Sequence, residues 1–291
     1  MINLNTPKGN WILLLLVSFI WGSPFILRQI ALESFAHQQV AALQIFISFV
    51  LFIPLIIKNL KKLTRKNALL LLLSGLSGNV GPSFFYAKAQ TQINSSLAGM
   101  LNALLPTITL LIAMLLYRVK PNLYSVLGVI VGLSGTLVLA LMGNSFGTTY
   151  FWGIFYVLMA ILSIAVSINL VSFALPNLTG IEIASLAFLF VGPMAGIYLF
   201  QSDLLTPLNS SSILLSSAMI TLLGTFTFVG VILNNQLIKQ SSHVFAASIA
   251  YLIPIVALFW GLVIGGDKIS LLQLACIAII FVGVHLANKK S

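Results

Sequence analysis

Ten apolar stretches, each about twenty residues long, fill nearly all of this 291-residue sequence. A helix of about 20 residues crosses the ~30 Å hydrocarbon core of a bilayer. Helices are the plausible spans here, because the bilayer interior offers no water to bind exposed backbone groups. The sequence therefore predicts an all-α membrane protein with ten transmembrane helices. We place them at 11–31, 38–57, 68–88, 94–117, 121–142, 149–173, 181–200, 212–238, 243–265 and 270–287.

The composition agrees with a membrane protein and argues against other classes. Hydrophobic residues make up 59% of the chain and charged residues only 6%, against about 25% charged residues in a typical soluble domain. The net charge of +10 does not indicate a nucleic-acid partner, because the basic residues lie in short loops between apolar stretches. We expect the lipid bilayer and a small-molecule substrate as partners, and a monomer. Cys276 is the single cysteine, so no intrachain disulfide or thiolate metal cluster can form, and no cofactor is expected.

The basic residues also predict the orientation in the membrane, because cytoplasmic loops are enriched in lysine and arginine. With the N-terminus inside, eleven of the fourteen Lys and Arg residues lie on the inner side. Arg28, Lys88 and Lys268 lie outside or near the outer helix ends. We therefore predict that both termini are cytoplasmic, and we take a bacterial cytoplasmic (inner) membrane as the default location.

An internal repeat relates the two halves of the chain. A shift of 148 residues lays the stretch 96–123 on 244–271 without a gap and aligns Pro106 with Pro254, Lys120 with Lys268 and Gly135 with Gly283. The first repeat comprises helices 1–5 in residues 11–142, and the second comprises helices 6–10 in residues 149–287. Because five is odd, the second repeat must be inverted in the membrane. Inverted repeats are the plan of many secondary transporters and give alternating access a structural basis.

The residues resemble the EamA-type branch of the drug/metabolite transporter superfamily. Trp21-Gly22-Ser23-Pro24-Phe25 is similar to its WGSxF signature, and FYAKAQTQINSSLAGMLNALLP is similar to its pattern in helices three and four. Asp267-Lys268 matches the acidic-basic pair that follows the family's proline, whereas Val119-Lys120 in the first half lacks the acid. The resemblance implies a ten-helix transporter in which helices 1, 3, 4, 6, 8 and 9 surround a central cavity and helices 5 and 10 are peripheral.

Polar side chains within those helices are candidates for binding the substrate. Such residues are costly in lipid and usually face the bundle interior or a water-filled path. The alternative for each is a hydrogen bond between helices, which contributes about 1 kcal/mol or less. The candidates are Trp21, Ser23, Asn79, Ser83, Tyr86, Lys88, Asn102, Asn169, Asn234, Asn235 and Tyr251.

Two prolines, Pro106 and Pro254, fall inside predicted helices at equivalent positions of the repeats. Each removes a backbone hydrogen bond and bends its helix. The functional interpretation is a pair of hinges facing the cavity; the alternative is a packing kink, which membrane helices tolerate.

Arg28 and Lys88 lie at similar predicted depths on helices 1 and 3. Their side chains either reach the lipid headgroups or point inward. If both point inward, they form a positive vestibule that favours substrates bearing a carboxylate.

The positions of the acidic residues distinguish between the candidate classes of substrate. Glu33, Glu182, Asp203 and Asp267 are the only acids, and all fall at helix ends or in loops. Proton-coupled exporters of cationic drugs usually need a carboxylate within the membrane. We therefore expect an exporter of small neutral, zwitterionic or anionic metabolites, amino acids first, and not an enzyme; a multidrug or cation exporter of the same fold is the alternative.

An intramembrane serine protease and a structural scaffold are further alternatives. Gly75-Leu76-Ser77-Gly78 matches a GxSG nucleophile signature, with His285 as a conceivable base. However, Gly132-Leu133-Ser134-Gly135 matches it too, so the motif arises easily in this sequence. A scaffold would need neither inverted halves nor a polar cavity.

Overall fold

The computed structural model describes residues 7–118, 123–141, 148–203, 212–240 and 249–287, and these residues form helices and no strands. The α-helices of the first half are α1 (Pro7–Gly22), α2 (Pro24–Ala31), α3 (His37–Asn59), α4 (Arg65–Gly75), α5 (Gly81–Ala89), α6 (Ser95–Leu101), α7 (Leu105–Tyr117) and α8 (Leu123–Leu141). Those of the second half are α9 (Thr148–Ala174), α10 (Gly180–Gln201), α11 (Ile213–Gln240), α12 (Ile249–Val263) and α13 (Leu271–Ala287). The all-α prediction is therefore confirmed for the described residues.

Seven helical segments in the described part of the chain are long and apolar enough to cross a membrane. They are Gly9–Ala31, His37–Lys62, Arg65–Ala89, Ser95–Tyr117, Tyr150–Ala174, Gly180–Gln201 and Ile213–Leu237. Three shorter apolar helices, Val126–Gly135, Leu252–Val263 and Leu271–Gly283, lie where the fifth, ninth and tenth spans were predicted. The total of ten spans and the cytoplasmic location of the termini stay predictions.

Three of the predicted first-half helices are interrupted where a proline follows. The first helix breaks at Ser23, before Pro24. The third contains a π-helical segment, Leu76–Val80, before α5 begins, and the fourth contains a 3-10 turn, Asn102–Leu104, before α7 begins. Proline at the start of α2, α5 and α7 supplies no N–H to the preceding turn, which explains the local change of helix type.

Helices that the 148-residue shift relates also pack against each other. In the first such pair, α8 crosses α13, and the crossing point holds Gly132, Gly135 and Gly283. In the second, α3 lies along α10, where the rings of Phe52 and Phe188 stack with their centroids 4.8 Å apart. Contacts between equivalent helices are what a twofold relation between the halves produces.

A third contact, between α6 and α12, brings the two halves close together beside the interior cavity. A Cβ atom on Gly99 would clash with the Cβ of Ala257, so the helices approach as closely as small residues allow. Leu101 and Ile161, both fully buried, belong to the same apolar cluster. This packing holds α12 against the first half of the chain.

Candidate functional site: the interior cavity

A cavity of about 450 Å³ lies between the helices. Both halves of the chain line it. Among the described α-helices, α4, α6, α8 and α13 contribute no lining residue. Its polar lining residues are Arg28, Gln44, Ser48, Asn79, Ser83, Tyr86, Asn102, Thr227 and Asn234. Its apolar lining includes Trp21, Pro24, Phe25, Ile45, Pro82, Leu105, Ile164, Ile168, Phe188, Ile249 and Ile253. Size and mixed lining are typical of a small-molecule site.

Six of the predicted binding residues line this cavity: Trp21, Asn79, Ser83, Tyr86, Asn102 and Asn234. Two of them are joined, since the Tyr86 hydroxyl donates a hydrogen bond of 2.7 Å to Asn102 Oδ1. The irregular helix segments explain why Asn79 and Asn102 reach the cavity, because Asn79 belongs to the π-helical segment and Asn102 begins the 3-10 turn. Irregular backbone within a membrane is tolerated where it lines a cavity.

Two predicted binding residues bond to other helices instead and do not line the cavity. Ser23 Oγ donates to the carbonyl oxygen of Phe19 at 2.7 Å and accepts from Trp260 Nε1 at 2.9 Å. Asn169 Nδ2 donates to the carbonyl oxygens of Thr109 and Ala165, each at 2.9 Å. For these two, the structure favours the interhelical alternative.

Two further predicted residues, Asn235 and Lys88, are also absent from the lining of the described cavity. Asn235 donates to the carbonyl oxygen of Val231 in its own helix at 2.9 Å. Lys88 is half-buried at the end of α5. The side chain of Tyr251 lies outside the part of the chain whose side chains the structure describes.

Arg28 is the most informative residue at the cavity. From the sequence, its side chain could either reach the lipid headgroups or point inward. It is 4% exposed and lines the cavity. Its two terminal nitrogens donate to Gln90 Oε1 and Gln44 Oε1, each at 3.2 Å. The guanidinium carbon lies 5.5 Å from the centre of the Tyr86 ring, within the range of a cation–π contact. Arg28 therefore points inward, and Lys88 does not join it to form a vestibule.

Gln44 and Ser48 also line the cavity. Neither was among the predicted binding residues, because the family resemblance places helix 2 away from the cavity. Both lie on α3 and are buried, and α10 also contributes through Phe188. A signal was present: the two polar residues are four apart, on one helix face, within an otherwise apolar span.

The repeat is visible within the cavity itself. Three pairs of lining residues are related by the shift of 148: Asn79 and Thr227, Tyr86 and Asn234, Leu105 and Ile253. The charged corner has no such counterpart, because the same shift carries Arg28 to Pro176 and Gln44 to Gly192. The two halves of the chain thus contribute equivalent residues to the described cavity wall, but only the first half contributes a charged residue to it.

The predicted hinge residues occupy different settings. Pro106 lies at the start of α7, directly after the 3-10 turn that contains Asn102. Pro254 lies inside α12, between Ile249 and Val263. Their role as hinges stays a prediction.

The acids are all in the described part of the chain, and none lines the described cavity. Glu182 caps the start of α10, where its Oε2 accepts from the Thr179 N–H at 2.8 Å. Asp267 accepts from the Ser96 N–H at 3.0 Å. Among the described residues there is also no group of three His, Cys, Asp or Glu residues placed to hold a metal.

The two GxSG matches have an ordinary local explanation. Ser77 Oγ donates to the carbonyl oxygen of Leu73 at 2.6 Å, and Ser134 Oγ donates to that of Val131 at 2.8 Å. Each hydroxyl thus bonds back to its own helix, and no hydrogen bond joins either one to a base among the residues that the structure describes.

Comparison with known proteins agrees with this architecture. A solved crystal structure matches with a TM-score of 0.59 over 97% of this chain and 98% of its own, at 17% sequence identity, which supports the fold. In Escherichia coli K12 and O157:H7, an uncharacterized inner membrane transporter, YedA, is 26% identical over 280 residues, covering 92% of this chain and 87% of the relative. The model of the EamA-like transporter family matches residues 10–141 and 151–289. The chain therefore belongs to the EamA-like transporter family and is a multi-pass transporter of the cell membrane.

Proposed function

We propose that this protein is a secondary transporter that exports small metabolites by alternating access. Its substrates are amino acids or related neutral, zwitterionic or anionic compounds. The observation that carries this proposal is the cavity of about 450 Å³, which is lined by polar residues from both halves of the chain. A cavity of this size suits a metabolite of amino-acid size.

The charge of the cavity supports this substrate range over cationic drugs. Arg28 is the charged residue among the described lining residues, and the four acids lie elsewhere. A cation in the cavity would meet a buried like charge and no carboxylate, which disfavours its binding. A neutral, zwitterionic or anionic solute avoids that repulsion.

The relation between the halves supports alternating access. Two family-model matches, at residues 10–141 and 151–289, and the contacts between equivalent helices α8 and α13 and α3 and α10 agree with two inverted five-helix repeats. In such transporters, one bundle rocks against the other around a shared site. We take both termini to be cytoplasmic and the active unit to be a monomer.

The test is transport by the purified full chain in proteoliposomes. Labelled amino acids, carboxylates, amines and cationic dyes are compared with and without a proton gradient, in both directions. Saturable movement of amino acids or carboxylates that Asn102→Ala weakens supports the proposal. Movement of cationic dyes alone, only with a proton gradient, would refute the proposed substrate range.

A further inference from the structure

We infer that Arg28 binds the carboxylate of the transported substrate and that Gln44 and Gln90 are positioning residues that hold its guanidinium. This inference rests on the proposed function and narrows its substrate class to carboxylates. Arg28 is 4% exposed and contributes to the cavity wall.

The two glutamines face Arg28 with their oxygen atoms, and other residues fix that orientation. Gln90 Nε2 donates to the carbonyl oxygen of Phe25 at 2.7 Å, and a carbonyl can only accept. Gln44 Nε2 donates to Thr227 Oγ1 at 3.1 Å, and that hydroxyl donates onward to the carbonyl oxygen of Leu223 at 3.0 Å. Neither amide can turn over without losing a bond on each side.

These contacts leave the arginine incompletely paired. A guanidinium has five N–H donors, and the two glutamines occupy one on each terminal nitrogen. The Nε atom of Arg28 is buried and has no hydrogen-bond partner. Both partners are neutral, and the described cavity lining contains no acid, so the positive charge is buried without a counter-charge.

A carboxylate is the ligand that completes this arrangement. It supplies one negative charge and two acceptor oxygens, and it pairs with a guanidinium through strong, charge-assisted hydrogen bonds. Burial makes an unpaired charge costly, so the gain from an incoming anion is larger here than at a surface. Amine and amide groups of the same size offer no such gain.

The cavity also indicates how the rest of the substrate lies. Ile164 and Ile253 line the cavity with the amides of Asn79 and Asn234. The repeat places Pro176 and Gly192 where the first half has Arg28 and Gln44, so one anionic group is accommodated, at one end. A compact monocarboxylate with an aliphatic body fits this distribution.

The experiment uses four probes that share the leucine side chain and differ in charge: leucine, N-acetylleucine, leucinamide and N-acetylleucinamide. Binding to the purified full chain in nanodiscs is measured by thermal stabilisation at matched concentrations, and movement of labelled leucine is measured in proteoliposomes. We expect leucine and N-acetylleucine to stabilise the wild type, and the two amides to bind roughly thirtyfold more weakly or not at all, as when one partner of a buried charge pair is lost.

Three variants separate recognition from folding. Arg28→Gln removes the charge, Arg28→Lys keeps the charge without the planar fork, and Thr227→Val removes the acceptor that orients Gln44. We expect Arg28→Gln to abolish the preference for carboxylates, Arg28→Lys to retain part of it, and Thr227→Val to weaken carboxylate binding more than amide binding. Each variant's unfolding temperature without ligand reports whether it folds, and the Arg28→Lys result stands if Arg28→Gln does not fold.

Two outcomes would overturn the inference and leave the proposed transporter intact. One is leucinamide or N-acetylleucinamide binding as well as the carboxylates, and the other is Arg28→Gln keeping the wild-type preference. Failure of the folded wild type to move any probe counts against the proposed function itself.

Discussion

The carboxylate of Asp267 accepts a hydrogen bond from the backbone N–H of Ser96 at 3.0 Å, which joins the loop after α12 to the start of α6. The Ser95 hydroxyl donates to the same oxygen at 3.3 Å. The loop can reach α6 because Gly266 has a φ of +63°, a conformation that glycine adopts without steric cost. We call this contact between the second half and the first the Asp267 clasp.

The clasp predicts a stabilising role for Asp267. Its negative charge lies at a helix N-terminus, where carboxylates bind free N–H groups and favour the helix dipole. We expect Asp267→Ala to lower the free energy of unfolding by about 1–2 kcal/mol and Asp267→Asn by less, because the amide keeps an acceptor. Thermal unfolding in detergent measures this. Glu33→Gln, at an exposed acid, is the control; an unchanged unfolding temperature for Asp267→Ala would contradict the prediction.

The crossing of α8 and α13 predicts opposite effects for two glycines. A Cβ on Gly283 would lie 2.6 Å from the Cα of Gly132 and closer still to its nitrogen, and backbone atoms cannot move aside. A Cβ on Gly132 would meet Leu104 Cδ2 at an ordinary 3.5 Å. We expect Gly283→Ala to destabilise the fold by about 1–3 kcal/mol, as overpacking does, whereas Gly132→Ala is neutral or stabilising because alanine favours the helix.

Unfolding temperatures and expression in the membrane distinguish the two glycine variants. A similar loss of stability in Gly283→Ala and Gly132→Ala would contradict the prediction. It would show that general crowding at the crossing, and not the backbone contact of Gly283, limits side-chain size there. Because the 148-residue shift relates Gly135 to Gly283, Gly135→Ala is a third variant whose stability can be compared with the other two. Its Cβ would lie 3.0 Å from the carbonyl oxygen of Cys276, and we expect an intermediate effect.

The hydrogen bond between Tyr86 and Asn102 predicts an effect on substrate affinity. Tyr86→Phe keeps the ring beside Arg28 but removes the 2.7 Å bond to Asn102 Oδ1. A buried acceptor without its donor costs about 1–3 kcal/mol, so the amide reorients within the cavity. We expect the KM for transport to rise roughly threefold to tenfold with little change in the maximum rate. Tyr198→Phe, the same chemical change outside the described cavity lining, serves as control; equal effects of both would rule out a role for this bond.

The sequence predicted the all-α fold and several of the residues that line the cavity, for a simple physical reason. An apolar stretch long enough to cross a bilayer is visible in any sequence. A polar residue within it, such as Asn79 or Asn102, is costly in lipid and therefore usually faces the interior of the helix bundle. The repeat also corresponds to a structural feature, because Gly135 and Gly283, which the 148-residue shift relates, both lie where α8 and α13 pack against each other.

What the sequence could not predict depends on partners distant in the chain. Ser23 is as polar as Ser83, yet Ser23 bonds to Trp260 and Ser83 lines the cavity. Arg28 turns inward because Gln44 and Gln90 accept its hydrogen bonds from two other helices. No local pattern distinguishes these outcomes, since they follow from how the helices pack.

The buried charge of Arg28 also predicts how transport proceeds. In the alternating-access cycle proposed above, an empty carrier passes through its closed state with the guanidinium uncompensated, whereas a carrier loaded with a carboxylate passes through it with the charge paired. Because an unpaired buried charge is costly, the loaded carrier should reorient faster, and a barrier difference of about 1.4 kcal/mol corresponds to roughly tenfold in rate. We therefore expect exchange of carboxylates to outpace net export. Efflux of labelled N-acetylleucine from proteoliposomes, with and without unlabelled N-acetylleucine outside, measures both. Equal rates in the wild type would contradict this view, and in Arg28→Gln, where the empty carrier has no charge to bury, the acceleration should shrink.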